Sequence, residues 1–69
     1  MSKVQAVILN KKYFDRNKSI KWIKDNGFKL KKIHETGNSF RFRQHNPNKF
    51  EKFRTVSPKR GISFVIGFN

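Results

Sequence analysis

The sequence predicts an α+β fold: one helix packed on a mostly antiparallel sheet of four to five strands, in the order β-α-β-β-β-β. Three observations lead there. Residues 16–26 alone carry a helical apolar stripe. Several shorter segments are rich in β-formers or alternate with period two. Turn chemistry punctuates them at Thr36-Gly37-Asn38 and Ser57-Pro58-Lys59-Arg60-Gly61. A chain of 69 residues fits a single small basic α+β domain over 1–69. Such a domain buries only about 60% of its unfolded surface, so its core is small. Eight phenylalanines with one tryptophan and one tyrosine offset this, because large rings bury more area per residue.

Val4 to Leu9 is apolar on both alternating faces, which predicts a first strand buried mid-sheet. Asp15 suits an N-cap. The helix is expected from Arg16 to Asn26. Ser19, Ile20, Trp22 and Ile23 share one side of its wheel, with Lys18, Lys21 and Lys24 opposite. Gly27 suits the C′ position, where left-handed backbone costs glycine nothing. Phe28 to Glu35 is expected as the second strand, although Lys29, Lys31 and Lys32 blur its pattern. The third, Ser39 to His45, alternates strictly. Phe40, Phe42 and Gln44 point one way; Ser39, Arg41, Arg43 and His45 point the other. These two strands are expected to form an antiparallel hairpin.

Asn46-Pro47-Asn48 breaks the third strand, and Pro47 suits the start of a short helical turn. Phe50 and Phe53 are expected on one such turn, closing an edge of the core. Arg54 to Val56 reads as a short strand and Ser57 to Gly61 as a turn. Ile62 to Phe68 is the final strand. Ile62, Phe64, Ile66 and Phe68 share one of its faces; Ser63, Val65 and Gly67 share the other. The expected core is Trp22, Ile23, Phe40, Phe42, Phe64 and Ile66. One helix covers one sheet face only, so Arg41, Arg43 and His45 are expected on an uncovered face.

Charge directs the functional reading. Seventeen lysines and arginines stand against four acids, a formal net charge of +13. The isoelectric point is near 10.9. Self-repulsion of this kind costs stability, and a small fold does not need it. The expected partner is a polyanion: nucleic acid first, with DNA ahead of RNA. The candidate contacts are Arg41 and Arg43 on the third strand, Lys29, Lys31 and Lys32 on the second, and Lys59 and Arg60 in the last turn. The two arginines sit about 6.8 Å apart on one strand face, each with a fork suited to phosphate. The helix lysines rank second, as a solubilising stripe. The expectation requires the cations to gather into one continuous patch. The competing explanation for the arginines is a solvated strand face that resists aggregation.

Catalysis and cofactors are not expected. The acids are Asp15, Asp25, Glu35 and Glu51, and no two are placed for acid–base or metal-ion work. Adjacent His34 and Glu35 point to opposite faces of a strand, and His34 meets His45 in one hairpin register only. The chain has no cysteine, which excludes disulfides and thiolate metal sites. No glycine-rich phosphate loop is present. No apolar run approaches the roughly 18 residues of a membrane helix, and no signal peptide is legible. The expected location is intracellular.

Two resemblances add to this. Arg60-Gly61-Ile62-Ser63-Phe64-Val65-Ile66-Gly67 partly resembles the first ribonucleoprotein signature of RNA-recognition motif domains. The Arg, Gly, Phe and Val positions match, but Ile62 and Gly67 replace base-stacking aromatics and Ser63 replaces Gly or Ala. The chain is also short for that fold, so nothing is carried over.

The second covers nearly the whole chain. It runs through Ser19-x-x-Trp22-Ile23-x-x-x-Gly27-Phe28, His34-Glu35-Thr36-x-Asn38, and Arg41-Phe42-Arg43-Gln44. It continues with Phe50-x-x-Phe53-Arg54-Thr55 and Gly61-Ile62-x-x-Val65-Ile66-Gly67-Phe68. This pattern looks like a small basic module of tailed phages and large DNA viruses. In phages it is similar to short segments found alone or beside head-maturation proteins. That family has no settled biochemical activity. The resemblance implies a viral origin, a place in the host cell or on the virion, and a non-enzymatic accessory role. It transfers no functional residues.

The expected function is therefore that of a small viral or phage accessory protein. It binds nucleic acid through a basic surface, largely without sequence specificity. The alternative is a protein-interaction or virion structural module docking on an acidic viral or host protein. Its last strand would then be free to add to another sheet.

Overall fold

The computed structural model describes residues 2–30 and 33–69. Its elements are β1 (Ser2–Asn10), α1 (Arg16–Asp25), β2 (Ile33–Glu35), β3 (Ser39–Arg43), a 3₁₀ turn (Pro47–Lys49), β4 (Lys52–Lys59) and β5 (Ile62–Phe68). The strands form one five-stranded sheet of order β2-β3-β1-β5-β4, antiparallel at every pairing. The α+β expectation holds, with β1 at the centre. Because β1 and β2 both run antiparallel to β3, they are parallel to each other. With α1 between them they make a split β-α-β unit that has β3 inserted. The β4–β5 hairpin completes the sheet on the other side of β1.

Register explains the core. Leu9 lies opposite Phe40 and Ile62, and Val7 lies opposite Phe42 and Phe64. Directly opposed residues share a face, so this set forms one apolar surface. Ile23 of α1 is fully buried against it, and Trp22 and Phe28 pack at its margin. The Trp22 and Phe28 rings stack at 5.8 Å, and both meet Phe64. Each such side chain contributes about 1.5–3 kcal/mol when fully buried. Trp22, Phe64 and Ile66, expected in the core, are half-buried.

The helix begins and ends for local reasons. The Asp15 carboxylate accepts the Lys18 amide at 2.7 Å, capping the first turn. Gly27 takes φ 75°, which ends the helix in left-handed backbone.

A β-bulge shifts the β1–β5 register between Val4 and Ala6. Gln5 is the extra residue. Its carbonyl accepts the amides of both Gln44 and His45, and its Nε2 donates to the His45 carbonyl. The shift keeps Val4 on the helix side with Val7 and turns Lys3, opposite Gly67, to the other face.

Five sequence expectations need correction. The second strand is Ile33–Glu35, and Phe28 to Leu30 are irregular. Phe28 is taken by the Trp22 stack. The Gln44 side chain bonds both the amide and the carbonyl of Lys29, at 2.7 and 3.0 Å, in place of a strand partner. Lys31 and Lys32 lie outside the described residues. The third strand stops at Arg43, because Gln44 and His45 share one carbonyl at the bulge.

The fourth strand spans Lys52–Lys59, so Ser57 to Lys59 are strand and the turn narrows to Arg60-Gly61. A second register shift lies between Val56 and Lys59, and Pro58 is tolerated because β4 is an edge strand. Phe50 and Phe53 do not share a helical turn. Phe50 follows the 3₁₀ turn in extended backbone, and Phe53 belongs to β4. Finally, β5 has neighbours on both sides, so the last strand is not free to add to another sheet.

Candidate nucleic-acid interface

The sheet face away from α1 is built from the alternate residues of each strand. One row across it reads His34, Arg41, Ile8 and Ser63, each opposite the next. Ser57 extends the row, its Oγ 3.0 Å from that of Ser63. The next row reads Arg43, Ala6, Val65 and Thr55. A third contains Lys3, Gly67 and Phe53. The Phe50 ring crosses Gly67. The His45 ring meets Phe50 edge-on at 6.2 Å, and Phe50 meets Phe53 the same way at 6.1 Å. The His45 Nδ1 lies 3.0 Å from the Val4 carbonyl, which fixes the ring.

Two hollows open on this surface. A groove of about 640 Å³ runs between β3 and the 3₁₀ turn, lined by His34, Arg41, Arg43, His45, Asn46 and Pro47 among others. A second, of about 540 Å³, lies at the β4–β5 turn, where Lys59 and Arg60 meet Ser39, Ser57, Ser63 and Asn38. The first row, with Arg41, Ile8 and Ser63, connects them. No carboxylate lines either hollow among the described residues.

Three of the four acids lie elsewhere, and Glu51 stands exposed just before β4, its amide donating to Asn69 Oδ1. Asp15 caps the helix and Asp25 ends it. Glu35, opposite Phe40, is on the helix side of β2. It bonds Lys11 at 2.7 Å and Arg16 at 3.3 Å. The hydrogen bond and charge of Lys11, with a smaller part from Arg16, hold its carboxyl below the usual glutamate range. These are the ion pairs among the described residues, and none of them involves Arg41 or Arg43.

The expected site residues separate into groups. Lys59 lines the hollow at the β4–β5 turn with Arg60 but pairs with helix-side Ile62, while Arg41 and Arg43 come together on the open face. Lys29 does not. It is exposed on the irregular segment, tied to Gln44, whose buried side chain lies on the helix side. Lys31 and Lys32 lie outside the described residues. Lys18, Lys21 and Lys24 are exposed on α1, across the sheet from the arginines. Among the described residues, the expected cations thus lie on both sides of the sheet, Arg41 and Arg43 on the open face and the α1 lysines beyond the other. The reason is topological: a single helix on one sheet face separates its own outer stripe from the opposite face.

Lys3 joins the open face and was not expected there. Plain alternation from Val7 puts it on the helix side, and only the bulge at Gln5 reverses it. Phe53 was missed as well, because its place in an edge strand has no clear apolar rhythm. The ribonucleoprotein-like segment lies on β5. There its Phe64 points into the Trp22 and Phe28 cluster, leaving Ser63, Val65 and Gly67 on the open face.

Comparison with known proteins found no matching family model, no matching curated protein and no matching solved structure. Among the described residues, no helix is long and apolar enough to cross a membrane. No group of three or more His, Cys, Asp or Glu side chains gathers into a possible metal site among them.

Proposed function

We propose that the chain is a small accessory protein that binds nucleic acid through the open face of its sheet. One observation carries this reading. Lys3, Arg41 and Arg43 share a face, Arg60 and Lys59 line the hollow at its β4–β5 end, and neither hollow on it contains a carboxylate, while Glu35 neutralises cations on the other side. Arginine forks suit phosphate oxygens, and contacts to phosphate carry no base information. The side chains between the arginines and the turn are Ile8, Ala6, Val65 and Ser63, which offer little to read a base edge. Binding is thus by charge, with little sequence preference. DNA is favoured over RNA because the sequence pattern resembles a module of DNA viruses.

The test is the salt dependence of binding to oligonucleotides. With about four phosphates neutralised, log affinity falls against log salt with a slope of about −3.6 on duplex and about −2.8 on single strands. Between 50 and 200 mM salt this is a loss of roughly 50- to 150-fold. Affinity that stays constant over that range contradicts the proposal.

A further inference from the structure

We propose that the preferred ligand is a single strand and that Phe53 stacks on one of its bases. This rests on the open face being the nucleic-acid site. Phe53 is the most exposed of the large hydrophobic side chains among the described residues, at 47%. It sits in the row of Gly67 and Lys3 on the basic face. Its ring is braced edge-on by Phe50, which is itself braced by His45. An aromatic ring held out in water, in the row of Lys3 and away from the core, offers a flat apolar surface to a partner with the same properties.

The geometry of nucleic acids separates the two forms of ligand. In a duplex the base faces are stacked on one another, and only their edges show in the grooves. A ring lying on a sheet surface has nothing there to stack against. A single strand exposes the base faces, and stacking on an aromatic side chain tolerates any sequence. The cations lie at matching reach. Lys3 is two strands from Phe53, about 10 Å, and Arg43 is three strands from Thr55, its neighbour but one, about 14 Å. A strand lying across β1 and β5 can leave phosphates with Arg43 and Lys3 and place one base on Phe53.

The experiment compares three ligands of equal length: a single-stranded oligonucleotide, the same strand with abasic sites, and a duplex. Wild type is measured beside Phe53→Leu, Phe53→Ala and Phe53→Trp at one low salt concentration. Phe53→Leu decides the matter, because it keeps an apolar contact on Phe50 while removing the ring face. The expected result is a loss of about five-fold or more on the single strand. The abasic strand and the duplex should be unaffected, and Phe53→Trp should retain or tighten single-strand binding. Unchanged single-strand affinity in Phe53→Leu overturns the stacking role and leaves the charge-based reading standing. Equal losses on all three ligands overturn it too, since stacking cannot act on a strand without bases. If wild type binds none of the three, the open face is not a nucleic-acid site at all.

Discussion

The ring of Phe50 lies across Gly67, so close that a β-carbon on Gly67 would collide with it. Phe50 holds the His45 and Phe53 rings on either side, so this contact orders the aromatic end of the open face. Gly67→Ala forces the ring away and should cost about 1–3 kcal/mol. The two sites touch, so Phe50→Leu in the same chain should relieve part of the loss. Urea denaturation of the two single variants and the double variant measures this; strictly additive losses contradict the contact.

Gln44 is buried and replaces a strand partner for Lys29. Gln44→Leu keeps the volume but abandons the Lys29 amide and carbonyl. A loss of about 1–3 kcal/mol is expected, with faster amide exchange at Lys29. Unchanged exchange at that amide would show that the segment is held by something else.

The legible parts of the fold were those with a clean rhythm. In Ser39 to Arg43, each phenylalanine buried under the helix forces its arginine neighbour outward, so Arg41 and Arg43 could be placed from sequence. Asp15 and Gly27 marked the helix ends by chemistry that acts locally. β4 was seen only in part. As an edge strand it carries Lys52, Arg54, Thr55 and Ser57 with almost no apolar alternation, and hydrophobic periodicity is the signal that sequence reading depends on. Lys3 was illegible for a different reason. A single extra residue at Gln5 reverses the facing of everything before it, and no residue type announces the bulge. Phe53 looked like core because phenylalanine usually is.

Glu35 gives the fold a small pH dependence. Its carboxyl is lowered by Lys11 first and Arg16 second. A carboxylate with a depressed folded-state pKa adds stability above its unfolded value and loses it as pH falls through the folded one. Glu35→Gln should therefore be slightly less stable than wild type at neutral pH. The difference should close below about pH 4. The group is exposed, so the gap is small and shrinks with salt. Parallel denaturation curves at neutral and acid pH test this. A gap that persists unchanged in acid contradicts the ion-pair origin.

Helix capping offers a control away from the open face. Asp15→Ala removes the acceptor for the Lys18 amide and should cost about 1 kcal/mol. Thermal denaturation reads the loss, and oligonucleotide affinity at a temperature where the variant is folded should not change. Weaker binding by the folded variant would tie the helix to the ligand.

The most direct test removes two charges from either side of the molecule. Arg41→Ala with Arg43→Ala and Lys18→Ala with Lys21→Ala lower the net charge equally, one pair on the open face and one on the helix. The arginine pair should weaken oligonucleotide binding alike for all sequences and reduce the salt slope by about 2. The lysine pair, screened from the bound strand, should change affinity about two-fold or less at 0.15 M salt. Equal losses from both pairs, or a larger loss from the lysines, would contradict the assignment of the site to the open face.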